Sequence, residues 1–189
     1  MNLIETFQNL VAQVPELVQP LIVALAAAVP FIEGEGAVSI GIIGGINPAI
    51  AAIAAIFGNF TIVAILVLLG ARARSAVVNR RRAKVLAGAG GVETADAGDE
   101  DIRVEDLVAD GDGRKAARRQ KFLRALDRYG VPGVSLLGPL LLPTHFTATM
   151  LVAVGVRPGR VLVWQAAAII GWTTVFAVLI GGVVHFATT

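Results

Sequence analysis

Two carboxylates stand in the middle of an apolar stretch, and that position limits the folds open to this chain. Residues 21–32 and 37–46 are apolar, and Glu33-Gly34-Glu35-Gly36 lies between them. About 26 residues suited to a bilayer interior thus carry two acids at their centre. A charge at that depth costs several kcal/mol, so an acid there points to a functional site. The same stretch interrupts a helix. Pro30 removes a backbone donor and pushes Val29 away from the α region. Gly34 and Gly36 each lower helix propensity by roughly 1 kcal/mol relative to alanine. A break at membrane depth is tolerated only where protein or a water-filled cavity covers the freed backbone groups.

Composition agrees with a membrane location. Of 189 residues, 56% are apolar, and the mean hydropathy is +0.74. A soluble domain holds about 45–50% apolar residues. The chain therefore reads as an all-α integral membrane protein of the cell membrane, crossing it more than once. It has no cysteine, which excludes disulfides, thiol catalysis and thiolate metal sites. His145 and His185 lie far apart with no acid nearby in sequence, so no metal site is expected. Asp110 to Gly113 resembles part of a calcium loop but lacks its other ligands and closing Glu. There is no nucleophile elbow, metal-ligand helix or phosphate-binding glycine loop, so neither enzymatic activity nor a cofactor is expected. Fourteen of the 16 Lys/Arg fall between Arg72 and Arg128, beside apolar segments. That is where topology-setting charge belongs, so the basic pI of about 9.5 does not imply a nucleic-acid partner.

Along the chain, residues 1–19 carry apolar positions at helical spacing (Leu3, Phe7, Leu10, Val11, Val14), ended by Pro15. They predict a short helix, either interfacial or packed on the bundle. Without Lys or Arg, they read as mature sequence rather than a cleavable signal. Residues 20–70 form a first membrane half, with the broken segment 20–46 and a clean span 48–70 that Pro48 opens. Residues 71–128 have basic ends that extend helices out of the membrane and a Gly/Ala/Asp/Glu middle expected to be disordered. Residues 129–189 form a second half, with broken segment 130–156 and clean span 158–186.

The halves correspond. Pro30 precedes Gly58 by 28 residues, as Pro143 precedes Gly171. Gly45-Ile-Asn-Pro48 and Gly155-Val-Arg-Pro158 each open a clean span, three residues out of step with the first match. Paired, Pro/Gly-interrupted apolar segments point to an inverted-repeat transporter with a midplane site. If the broken segments are re-entrant helical hairpins, all 16 positive charges lie in the cytoplasm, the central loop included. If they cross fully, Arg157 and Arg160 fall outside and the basic-free N-terminus inside, so the positive-inside rule favours hairpins. Each leg of about 12 residues spans about 18 Å, past the middle of a ~30 Å core. The expected fold is an inverted repeat of two units, each a re-entrant hairpin plus one transmembrane helix, with the tips meeting near the midplane.

Pro30-Phe-Ile-Glu33-Gly-Glu-Gly-Ala-Val-Ser39, Gly58-Asn59, Arg128-Tyr-Gly130 and Gly138-Pro-Leu-Leu-Leu-Pro143 give the chain a resemblance to the small multidrug export family, itself similar to the DedA/VTT membrane proteins. The resemblance covers both membrane halves and not the central tract. It implies opposed re-entrant hairpins and proton-coupled transport or flipping of a small or lipid-linked anionic substrate. The family's acid falls on Glu33. The Leu-Arg pair and Pro that usually follow it are replaced here by Gly34-Glu35 and Ser39.

Glu33 and Glu35 are thus the first candidate substrate or proton sites. A carboxylate in a low-dielectric pocket can exchange a proton as a cavity alternates. In a wet vestibule, Glu35 would instead cap the next half-helix. Opposite them stand Pro143, Thr144 and His145. Thr144 fits an N-cap of the helix that follows, and His145 fits a proton relay. Thr147 and Thr149 suit bonds back to helix carbonyls. Asn59 is polar in mid-span and either lines the cavity or bridges helices. Arg157 and Arg160 serve as topology signals or as an anion clamp. The expected function is a proton-coupled transporter or flippase, acting as a homo-oligomer because two hairpins and two spans are little bulk to enclose a path. The alternative is a non-transporting scaffold whose basic loop binds a partner or anionic lipid.

Overall fold

A computed structural model describes residues 3–88, 113–140 and 142–188, all outside strands. Helix α1 (Leu3–Gln13) is followed by a helix pair, α2 (Gln19–Ala27) and α3 (Glu33–Ile43), and a long helix, α4 (Pro48–Gly88). After residues outside the described set come α5 (Gly113–Leu137), a 3-10 turn (Gly138–Leu140), α6 (Thr144–Val154) and the long α7 (Pro158–Thr188). The expected disorder of the central tract and the Asp110–Gly113 motif fall on or against residues outside that set.

Proline and glycine set these boundaries. Pro48 and Pro158 each open a long helix, where a missing N–H costs nothing. The preceding turns are built alike. Gly45 (φ 89°) and Gly155 (φ 104°) take the left-handed conformation. The next residue's N–H then closes each helix, Ile46 to the Gly41 carbonyl and Val156 to Leu151, both at 3.0 Å. The second broken segment departs from two equal legs. Helix α5 bends at Gly130 (φ 65°, ψ −175°), and only 131–137 and the 3-10 turn lead into its tip. Helix α4 runs on beyond residue 70 through its arginines to Gly88, because Ala, Arg, Val and Lys continue the helix.

Two segments, Pro48–Arg80 and Pro158–Ala187, are long and apolar enough to cross a membrane. Only 28% and 22% of their most apolar windows is buried. A soluble core helix would hide that surface, whereas here Ile53, Phe57 and Leu69 on α4 and Val163, Val178 and Val183 on α7 stand exposed. The inward stripes recur every four residues: Ala51, Ala55, Asn59, Val63 and Val67 on α4, and Val161, Gln165, Ile169, Thr173 and Ala177 on α7.

Those stripes divide the interior. One apolar cluster joins α1, α2 and α3 to the start of α4 and the end of α7 through Val11, Val23, Val38 and Ala51. The other joins α5 and α6 to the later part of α4 and the earlier part of α7 through Val63, Val134, Leu151 and Val161. Asn59 and Thr173 fall between the two. Helix α1 belongs to the bundle through Phe7 and Val11, leaving Leu3, Ile4 and Leu10 exposed. Gly58 lets α2 come close to α4, since a Cβ there would lie 2.0 Å from the Ala24 carbonyl oxygen.

Candidate functional site

The first turns of α3 and α6 meet between the two clusters. Val29 to Ile32 reverse the chain between α2 and α3, and Phe31 (φ 73°) and Glu33 (φ 52°) take left-handed backbone conformations. Such positions cost about 1–3 kcal/mol each in non-glycine residues and persist only where the surroundings hold them. They aim the Glu33 side chain across the bundle, where it is 6% exposed. Its Oε2 accepts from the Thr144 hydroxyl at 2.6 Å, and its Oε1 lies 2.8 Å from His145 Nδ1. Thr144 and His145 are themselves buried. Residues over 110 positions apart in sequence thus form one buried polar cluster.

This arrangement corrects the expected role of Thr144. Pro143 occupies the N-cap of α6, with no side-chain cap, and its carbonyl accepts from the Phe146 and Thr147 N–H groups. Thr144 is the first helical residue, and its hydroxyl goes to Glu33. Glu33 is the first residue of α3 and Thr144 the first of α6, so the contact joins the N-termini of the two helices. Glu33 Oε1 and His145 Nδ1 lie within hydrogen-bond distance, the donor being set by the imidazole tautomer, while His145 Nε2 is buried without a partner among the described residues.

A second set of buried polar atoms borders the first turn of α3. A Cβ on Gly34 would lie 2.1 Å from Thr173 Oγ1 and 3.6 Å from Asn59 Nδ2. Among the described residues, both side-chain atoms of Asn59 and the Thr173 hydroxyl lack hydrogen-bond partners. Asn59 therefore stands beside the site without bridging helices. Among the described residues, the Gln165 side chain makes a single long contact, 3.4 Å to Ser135 Oγ.

On the other side of Glu33 lies a cavity of about 370 Å³. Phe31, Glu33, Glu35, Pro143, Trp172 and Phe176 are among its lining residues. Glu35 faces this space and does not cap α3 with its side chain; its backbone carbonyl accepts from Ser39 Oγ at 2.7 Å. Trp172 is a wall of the cavity, and its indole N–H donates to the Leu136 carbonyl at 2.8 Å. Phe31 stacks obliquely on Phe146, with ring centroids 6.2 Å apart.

Arg157 and Arg160 are not brought here. They stand exposed at the α6–α7 turn and the start of α7, an α6 length away from Thr144. Arg74 is the cation that reaches that turn, packed against Gly155. Thr149 bonds back to the His145 and Phe146 carbonyls. Sequence reasoning missed Thr173, Gln165, Phe31 and Phe176. The signal for the first two was present, as polar residues on the four-residue stripe of α7. Comparisons with family models, curated proteins and solved structures found no match to this chain.

Proposed function

We propose that the chain is an integral membrane transporter or flippase in which Glu33, His145 and Thr144 form the proton site. In this reading α2–α3 and the α5–α6 segment are opposed re-entrant hairpins of an inverted repeat. Helices α4 and α7 are its two full spans, and the central segment lies in the cytoplasm. The observation that carries the reading is the buried acid–imidazole pair joining two interrupted segments, Glu33 Oε1 to His145 Nδ1 at 2.8 Å. The cavity beside it, the apolar exteriors of α4 and α7, and the resemblance to the small multidrug export and DedA/VTT families support it.

The chemistry follows from hydrogen-bond inventory. An ionised Glu33 is acceptor only, so it takes one proton from Thr144 and one from His145 Nδ1. A neutral Glu33 carries its own hydroxyl and must either donate it to an unprotonated Nδ1 or lose that contact. The link between the tips therefore depends on the proton count of the pair. Coupling that count to opening on alternate sides would exchange a proton for substrate, with a homo-oligomer completing the enclosure.

Reconstitution in liposomes tests this reading. Wild type is expected to show proton-coupled movement of a substrate or lipid, and Glu33→Gln to lose it. Full activity in Glu33→Gln removes the pair from the mechanism. No movement across a lipid and drug panel favours the scaffold. A cysteine at position 159, in a chain without native cysteine, is expected to react only from the cytoplasmic side.

A further inference from the structure

Glu33 and Glu35 line the same cavity but are not equivalent. Both oxygens of Glu33 are engaged, by Thr144 and His145. The Glu35 carboxylate has no ion pair among the described residues and is hydrogen-bonded only to its own backbone there, yet it is only partly exposed and lines that cavity. Among the described residues no lysine or arginine lines the cavity. Its other walls include three aromatic side chains, Phe31, Trp172 and Phe176, with Leu140. An unpaired carboxylate against apolar walls is costly until a positive charge arrives. Aromatic faces attract cations and reject anions. The volume, about 370 Å³, lies in the range of small-molecule sites.

We infer that this cavity binds an amphipathic organic monocation, with Glu35 as its counter-charge and Phe31, Trp172 and Phe176 around its apolar body. The inference rests on the transporter reading for the purpose of the site and replaces the anionic substrate that the family resemblance implies. An anion would meet two carboxylates and no compensating cation. Glu33, held by Thr144 and His145, is left for the proton, and Glu35 recognises the charge of the ligand.

The test uses two ions of nearly equal size and shape but opposite charge, tetraphenylphosphonium and tetraphenylborate, titrated by equilibrium dialysis into the full-length protein in neutral detergent. Wild type is expected to bind the phosphonium and not the borate. Glu35→Gln is expected to weaken phosphonium binding about tenfold or more, the loss of one partly desolvated charge contact. Glu35→Asp, which keeps the charge, is expected to retain binding, and gel filtration of each variant reports folding. Equal binding of both ions, or unchanged phosphonium binding by folded Glu35→Gln, overturns the proposal. Competition then separates two sources of the ligand. Displacement by dodecylamine but not by a cationic diacyl lipid with a single amine head group and no phosphate, in mixed micelles, assigns the site to a free amine. Displacement by both assigns it to a lipid amine head group, and displacement by neither contradicts the proposal. Charge-selective binding without solute movement in liposomes would sink the transporter reading and leave this inference standing. Movement that depends on Glu33 but not on Glu35, without phosphonium binding, would do the reverse.

Discussion

The two interrupted segments reach the same point by different constructions. The first is two clean helices joined by a short turn, with strain concentrated at Phe31 and Glu33. The second is a bent helix, a 3-10 turn and a proline-capped helix, with no left-handed residue among the described residues of its tip. Their turns into α4 and α7 are closed by matching hydrogen bonds. Their tips are chemically complementary, since one supplies an acceptor and the other supplies a hydroxyl and an imidazole. Where the backbone only needs to turn, the halves agree. Where the chemistry sits, they divide the labour between acid and donor.

The sharpest break in that comparison lies at Gly58 and Gly171, which occupy matching positions in the sequence pattern. A Cβ at Gly58 meets the Ala24 backbone, whereas one at Gly171 meets nothing within 4 Å. Gly58→Ala is expected to destabilise the protein by about 3 kcal/mol, at the upper end for overpacking, because backbone cannot move aside. Gly171→Ala is expected to stabilise by about 0.5 kcal/mol through helix propensity alone. Thermal unfolding in detergent, followed by circular dichroism, compares the two. Equal responses would mean that α2 and α4 do not approach as described.

Removing the acceptor from one tip comes next. Glu33→Ala leaves Thr144 and His145 buried without their partner and is expected to cost about 2–3 kcal/mol. Glu33→Gln can accept from Thr144 and donate to an unprotonated Nδ1, so its cost is expected to be about 1 kcal/mol or less. If Gln is as damaging to stability as Ala, the contact is not the hydrogen-bonded one seen here. A smaller effect is expected at Gly34, where Ala would press on a single hydroxyl. Gly34→Ala should cost about 1–2 kcal/mol, and Thr173→Ala in the same chain should return most of it. Additive losses in the double variant would contradict the close packing of α3 on α7.

Much of the skeleton is legible from residues alone, for a physical reason. Apolar stretches, proline at helix starts and glycine at left-handed turns act locally, so Pro48, Pro158, Gly45 and Gly155 mark their boundaries without tertiary knowledge. That Glu33 stands opposite the Thr144–His145 tip is readable from the two interrupted segments, whereas which side-chain atoms meet is not. Less legible is anything set by a neighbouring helix. Thr173 and Gln165 become site residues only once the inward face of α7 is known. Thr144 looks like a cap until an acceptor from 111 residues away claims its hydroxyl. Arg157 and Arg160 lie close in sequence to His145 and far from it in space, since the whole of α6 intervenes. The bend at Gly130 falls where the sequence changes from a basic to an apolar segment, but its angle is not readable from side chains.

The link between the tips is the central claim, and His145 reports on it directly. The chain has two histidines, so His185→Asn leaves one imidazole to observe by nitrogen-15 nuclear magnetic resonance. The account predicts a hydrogen-bonded Nδ1 whose resonance shifts in Glu33→Gln and not in Arg157→Ala. An Nδ1 resonance that ignores the loss of the Glu33 carboxylate would contradict it.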